Sequence, residues 1–155
     1  MTKLKPPPAG WPRIISSVFY DDARGAIAWL CQAFGFEVRL QVLSEHGHLE
    51  HSELTFGDDG LIMVGQSGGK STRPVPLPCV SPRAVGVNTQ VLCVIVDDVD
   101  AHCERARAAG ARILDEPMTA DYGEGYWVDR SYRAVDLEGH HWWFMQRQRD
   151  RSGIT

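Results

Sequence analysis

The chain has no Cys-x-x-Cys pair, no apolar run approaching the length of a membrane span and no stripe of basic residues. Each absence removes a class of function. Cys31, Cys79, Cys93 and Cys103 lack the spacing of a zinc knuckle or a redox pair. Cys31 and Cys103 fall at apolar helical positions and Cys93 within a strand, where a free thiol behaves as a small hydrophobe, so a reduced, cytoplasmic protein is expected. A formal net charge of -4 leaves no footprint for a phosphate backbone. Nucleic acid and membrane are therefore not expected as partners, and a small-molecule ligand is. Residues Met1 to Gly10 are rich in lysine and proline and carry no apolar core of signal-peptide length.

What the chain does contain is a repeat. Val18-Phe19-Tyr20-Asp21-Asp22 and Val94-Ile95-Val96-Asp97-Asp98 each end a strand-like run and precede a helix-like run that stops at a glycine, Gly35 or Gly110. In the first helix Ile27, Leu30, Cys31 and Phe34 stand at i, i+3, i+4 and i+7 behind the capping pair Asp21-Asp22. In the second, Val99, Cys103 and Ala106 share a face behind Asp98, with Arg105 and Arg107 near the negative end. Strand-like runs follow each helix. In the first half they are 37–43, 49–56 and 61–65, with a hairpin loop at 44–48 and a turn at 57–60. In the second they are 112–114, 126–135 and 140–145, with a loop around 117–125 and a turn at 136–139.

Both halves read β-α-β-β-β, so the expected fold class is α+β, two paired modules forming a half-open barrel around one cleft. The expected divisions are a tail over 1–11, a first module over 12–66, a linker or flap over 67–87, a second module over 88–147 and a C-terminal tail over 148–155. The chain forms one domain overall, because a half-sized module buries little core alone. The linker assignment rests on the density of Gly68, Gly69, Pro74, Pro76, Pro78 and Pro82.

Candidate site residues come from strand alternation. With Leu54 and Phe56 under the helix, His51, Glu53 and Thr55 line the opposite face. The turn glycines Gly60 and Gly139 are 79 positions apart, and that spacing makes Arg130, Tyr132 and Ala134 their counterparts. Glu53 is the candidate base or acceptor, His51 a proton carrier and Arg130 an anion clamp; a plain Glu53–Arg130 ion pair is the simpler alternative. Aromatic residues crowd the last third. Trp142 and Phe144 share one face, and His141, Trp143 and Met145 share the other, so one set packs under the helix while the other lines the cleft. Trp127, Arg130, Tyr132, His141 and Trp143 are the expected ligand-binding residues, with Glu53 and His51 as the catalytic pair if the protein is an enzyme.

The twin modules, the phrase Val96-Asp97-Asp98-Val99-Asp100-Ala101 leading to Arg107-Ala108-Ala109-Gly110-Ala111, and the ending 129–144 with its Asp136-Leu137-Glu138-Gly139-His140 turn and tryptophans resemble the vicinal oxygen chelate superfamily. This is the group of glyoxalase I, bleomycin-resistance proteins and extradiol dioxygenases. The resemblance covers about 12–146, although Leu137 stands where proline is usual. It implies metal-ligand positions seven residues before each capping aspartate and four after each turn glycine, here Ile15, Val91, Val64 and Trp143. None supplies an oxygen or nitrogen donor, so no metal and no other cofactor is expected.

The resemblance thus implies a metal-free protein that binds a small aromatic or amphipathic molecule, like the antibiotic-binding resistance proteins, which commonly form homodimers. A glyoxalase-type lyase, isomerase or dioxygenase acting on a small substrate is the alternative. An interaction module is a third.

Overall fold

In the computed structural model, residues 4–68 and 79–151 are described. Residues 69–78, about half of the span 67–87 expected as linker or flap, therefore lie outside the described residues, as do the first three and last four residues of the expected tails. The chain divides into two compact units, Met1–Ser81 and Pro82–Thr155.

The first unit runs β1 (Ser16–Tyr20), α1 (Ala23–Phe34), β2 (Glu37–Leu43), β3 (Leu49–Phe56) and β4 (Gly60–Gln66). Its four strands lie in the order β1-β4-β3-β2, with β1 parallel to β4 and the other pairs antiparallel. The Asp22 carboxylate accepts a hydrogen bond from the Gly25 amide at 3.0 Å, and Gly35, at φ +82°, closes the helix in the left-handed region. Ala26, Ile27, Leu30, Ala33 and Phe34 bury one stripe of α1 over Val18, Tyr20, Leu54, Ile62 and Val64. One buried polar group is part of this sheet. The Ser52 hydroxyl donates to the Val64 carbonyl at 2.8 Å and accepts from the Val64 amide at 2.9 Å. It replaces the backbone pairing of β3 with β4 beyond Leu54 and Ile62.

The second unit runs α2 (Pro82–Val85), β5 (Val91–Ile95), α3 (Val99–Ala108), β6 (Arg112–Asp121), β7 (Val128–Val135) and β8 (His141–Arg149). Its sheet has the same plan, β5-β8-β7-β6, with β5 parallel to β8. Asp98 caps α3 through the Ala101 amide at 3.0 Å. The helix ends with Ala111 N–H donating to the Ala106 carbonyl and Gly110 N–H to that of Arg107, a terminus that needs the φ of +92° found at Gly110. Val99, Cys103 and Ala106 are buried on α3, and Tyr132, Ala134, Trp142 and Phe144 are buried on the sheet.

The α+β class and the two β-α-β-β-β units are as expected. Three elements differ: α2 lies in the span expected as linker or flap, β8 runs past 145 to Arg149 and into the expected C-terminal tail, and β6 is longer than expected. The loop expected around 117–125 is strand as far as Asp121, because a register shift between Asp115 and Met118 lets the ladder pass Pro117, which has no N–H to donate.

Candidate functional site

In the first unit the helix-free face of the sheet carries the polar group. Glu53 on β3 is 6% exposed. Its Oε1 lies 2.9 Å from His51 Nε2, and its Oε2 accepts from Arg39 Nε at 2.7 Å. The His51 hydrogen bond, with Arg39 behind it, holds the Glu53 carboxyl below the usual range against the opposing effect of desolvation. Arg39 reaches Glu53 because β2 is irregular between Val38 and Leu40, which takes Arg39 out of the regular alternation. The same guanidinium donates to the Gly10 carbonyl at 2.5 Å and lies 4.5 Å from the centre of the Trp11 ring. Gly10 and Trp11, at the end of the segment expected as a tail, are thus in contact with the site.

Apolar side chains frame this group. Leu40 is the cross-strand partner of Glu53, and Val42 that of His51. Both are 41% exposed. Elsewhere on the face, Phe19 lies over Gly65, where an added Cβ would come within 2.5 Å of Phe19 Cε1. A glycine is needed there for the ring to lie flat across β4.

In the second unit the register corrects the expected correspondence. Val18 pairs with Val64, and Val94 with Phe144. Val18 and Val94 hold the same place before the capping aspartates, so Val64 corresponds to Phe144, a spacing of 80 rather than 79. A one-residue slip moves every strand side chain to the other face. Ser131 and Arg133, not Arg130 and Tyr132, therefore correspond to His51 and Glu53.

Arg130 and Tyr132 instead face α3. Arg130 forms a two-pronged ion pair with Asp100 in the first turn of α3, at 2.7 and 2.6 Å, and also reaches Thr119. Each partner favours the charged form of the other, lowering the Asp100 carboxyl and raising the Arg130 guanidinium. Tyr132 is 1% exposed, stacks on Phe144 and shares a 2.7 Å hydrogen bond with His102 Nδ1. Burial pushes its hydroxyl pKa well up. Tyr132 serves the core and Arg130 ties β7 to α3 at the surface, and the expected Glu53–Arg130 pair is replaced by Glu53–Arg39 and Asp100–Arg130.

The five expected ligand-binding residues are not brought together. Trp127 sits in the loop before β7, against Tyr122 and Tyr126 with the Arg147 guanidinium over its ring. His141 pairs with Val135 at the other end of β7, a strand length of about 23 Å away. Only His141 and Trp143 share the helix-free face. Their neighbours on β5 are Val91, 52% exposed, and Cys93, and Ile95 beyond them is 56% exposed.

The Asp136 turn has a structural explanation. One carboxylate oxygen of Asp136 accepts from the Glu138 and His140 amides, each at 3.0 Å, and the other from Trp142 Nε1 at 2.9 Å. Gly139, at φ +100°, completes the turn.

The sequence profile of the Glyoxalase/Bleomycin resistance protein/Dioxygenase superfamily matches residues 14–144. The chain belongs to this superfamily. An uncharacterized protein of Mycobacterium bovis is 30% identical over 135 residues, covering 84% of this chain and 80% of its own. Among solved structures, TioX from Micromonospora sp. ML1 is similar at 29% identity and a TM-score of 0.65, covering 86% of this chain and 96% of its own. A glyoxalase/bleomycin resistance protein/dioxygenase from Nocardioides shares the fold at 16% identity and a TM-score of 0.63, over 99% of this chain and 92% of its own.

The superfamily's metal does not fit the residues present. Val64 is buried on the helix side, so the register puts Met63 in the place corresponding to Trp143. Ile15, Met63, Val91 and Trp143 offer no carboxylate, imidazole or amide oxygen. Among the described residues no three His, Cys, Asp or Glu side chains are grouped to hold an ion. The described residues include no helix long and apolar enough to cross a membrane.

Proposed function

We propose that this superfamily member binds a small aromatic or amphipathic molecule without a metal, using the helix-free face of the first unit's sheet. One observation carries the reading: a nearly buried, doubly paired carboxylate lies among half-exposed apolar side chains. A polar group fixed in an apolar surround is the ordinary composition of a small-molecule site. Leu40, Val42 and Phe19 supply apolar contact, Trp11 a ring to stack on, and His51, whose side chain is 40% exposed, a polar contact. In the second unit His141 and Trp143 sit beside exposed Val91 and Cys93 in a similar way.

The test is titration of tryptophan fluorescence with a panel of flat cationic and amphipathic aromatic compounds. Saturable quenching by at least one member, weakened by Glu53→Ala and by Trp11→Ala, is the expected result. No quenching by any member would reject the reading.

The His51–Glu53 contact favours a second reading, proton transfer without a metal. Glu53, held ionised, orients the imidazole, and His51 moves the proton. A Glu53→Gln variant that keeps ligand affinity but loses turnover would support it. We also propose a homodimer as the working form, since the edge strand β2 exposes Val38, Leu40, Val42 and Leu43. The cytoplasm is the proposed setting, in keeping with four cysteines that are in no disulfide among the described residues.

A further inference from the structure

We propose that the second unit holds a separate binding pocket for a small organic carboxylate. This goes beyond the reading above in ligand class, and its lining shares only His141 with the second-unit residues named there. A cavity of about 260 Å³ opens between α2 with the turn that follows it, the start of β6, and the 138–141 turn into β8. Ligand pockets run from roughly 300 Å³ upward, so this one suits a ligand of about one ring.

Its charge is unbalanced toward positive. Arg83, Arg112, Glu138 and His141 are the titratable residues that line it. The Glu138 side chain is fully buried, and its Oε1 is 3.9 Å from Arg83 Nη1, which sets one negative charge against one positive. Arg83 is also fixed in place by donating from Nη2 to the Leu137 carbonyl at 2.8 Å. Arg112 remains, and among the described residues no carboxylate lies within ion-pair distance of it. A planar guanidinium of this kind matches a carboxylate with two parallel hydrogen bonds.

Part of the wall is apolar. Pro82, Val87 and Val135 provide hydrocarbon for a ligand's body. The turn approaches α2 so closely that a Cβ at Gly139 would lie 3.3 Å from that of Pro82. This pocket is formed before any ligand arrives, which lowers the cost of binding. A cation is disfavoured, because the one carboxylate present is already matched by Arg83.

The experiment is titration of the full chain, isotope-labelled for amide NMR, with benzoate, benzyl alcohol and benzylammonium. Benzoate is expected to bind at least about tenfold more tightly than the other two and to shift the amides of Gly86, Asn88 and Gly139. Arg112→Gln, at an exposed strand start, is expected to weaken benzoate by roughly tenfold while leaving the thermal midpoint unchanged, and Arg112→Lys to recover part of the loss. The proposal is overturned if benzoate binds no better than benzyl alcohol, if the shifts map outside these amides, or if Arg112→Gln leaves benzoate affinity unaltered.

Discussion

Single carboxylates do much of the organising in this protein, and two of them behave differently enough to test. Glu53 is held below its ordinary value by His51 and Arg39. A carboxyl with a depressed folded-state pKa contributes stability that is fully present above the unfolded value and is lost as pH falls through the folded one. Stability should therefore fall as pH drops below the ordinary glutamate value of 4.5. Urea unfolding of Glu53→Gln at a series of pH values should show a flatter acid limb than the parent. A slope equal to the parent's would mean that Glu53 is not so paired. Asp136 accepts three hydrogen bonds in a buried turn. Asp136→Ala leaves those donors unmet and should cost about 3 to 5 kcal/mol in the same measurement.

Elements are positioned by the same devices in both halves: an aspartate cap, an apolar stripe and a left-handed glycine. Asp98→Ala removes the acceptor for the Ala101 amide and should destabilise the second unit by about 1 kcal/mol, visible as reduced amide protection in the first turn of α3. Strand boundaries were legible on β3, read as 49–56 and found there, but β8 runs past its expected end at Met145 to Arg149. They were not legible at β6, where Pro117 reads as a loop but sits at a register shift. The faces of β7 were misjudged for a related reason. The turns before β4 and β8 differ by one residue relative to the strands they join, so aligning glycine with glycine moved Tyr132 to the wrong side.

At the scale of the molecule, both sheets keep exposed apolar side chains on their helix-free faces, and β2 adds an apolar edge. A single chain gains nothing from leaving such surface in water. If two copies associate through β2, light scattering should give twice the chain mass, and Leu40→Glu together with Val42→Lys should return it to the mass of one chain. A single-chain mass for the parent protein at micromolar concentration would remove the dimer.

The sequence by itself determined the repeat, the two β-α-β-β-β units, their caps and stops, and the sheet face shared by His51 and Glu53. These follow from local periodicity and residue chemistry, which need no partner distant in the chain. Only the tertiary structure decided that Arg39 and Trp11 belong with Glu53, that Arg130 pairs with Asp100, and that Arg83 and Arg112 share a cavity. Those pairings join residues 14 to 30 positions apart or hang on a one-residue slip of register. Side-chain alternation alone does not encode such a slip, because strand register is set by turns, bulges and the packing of the whole sheet.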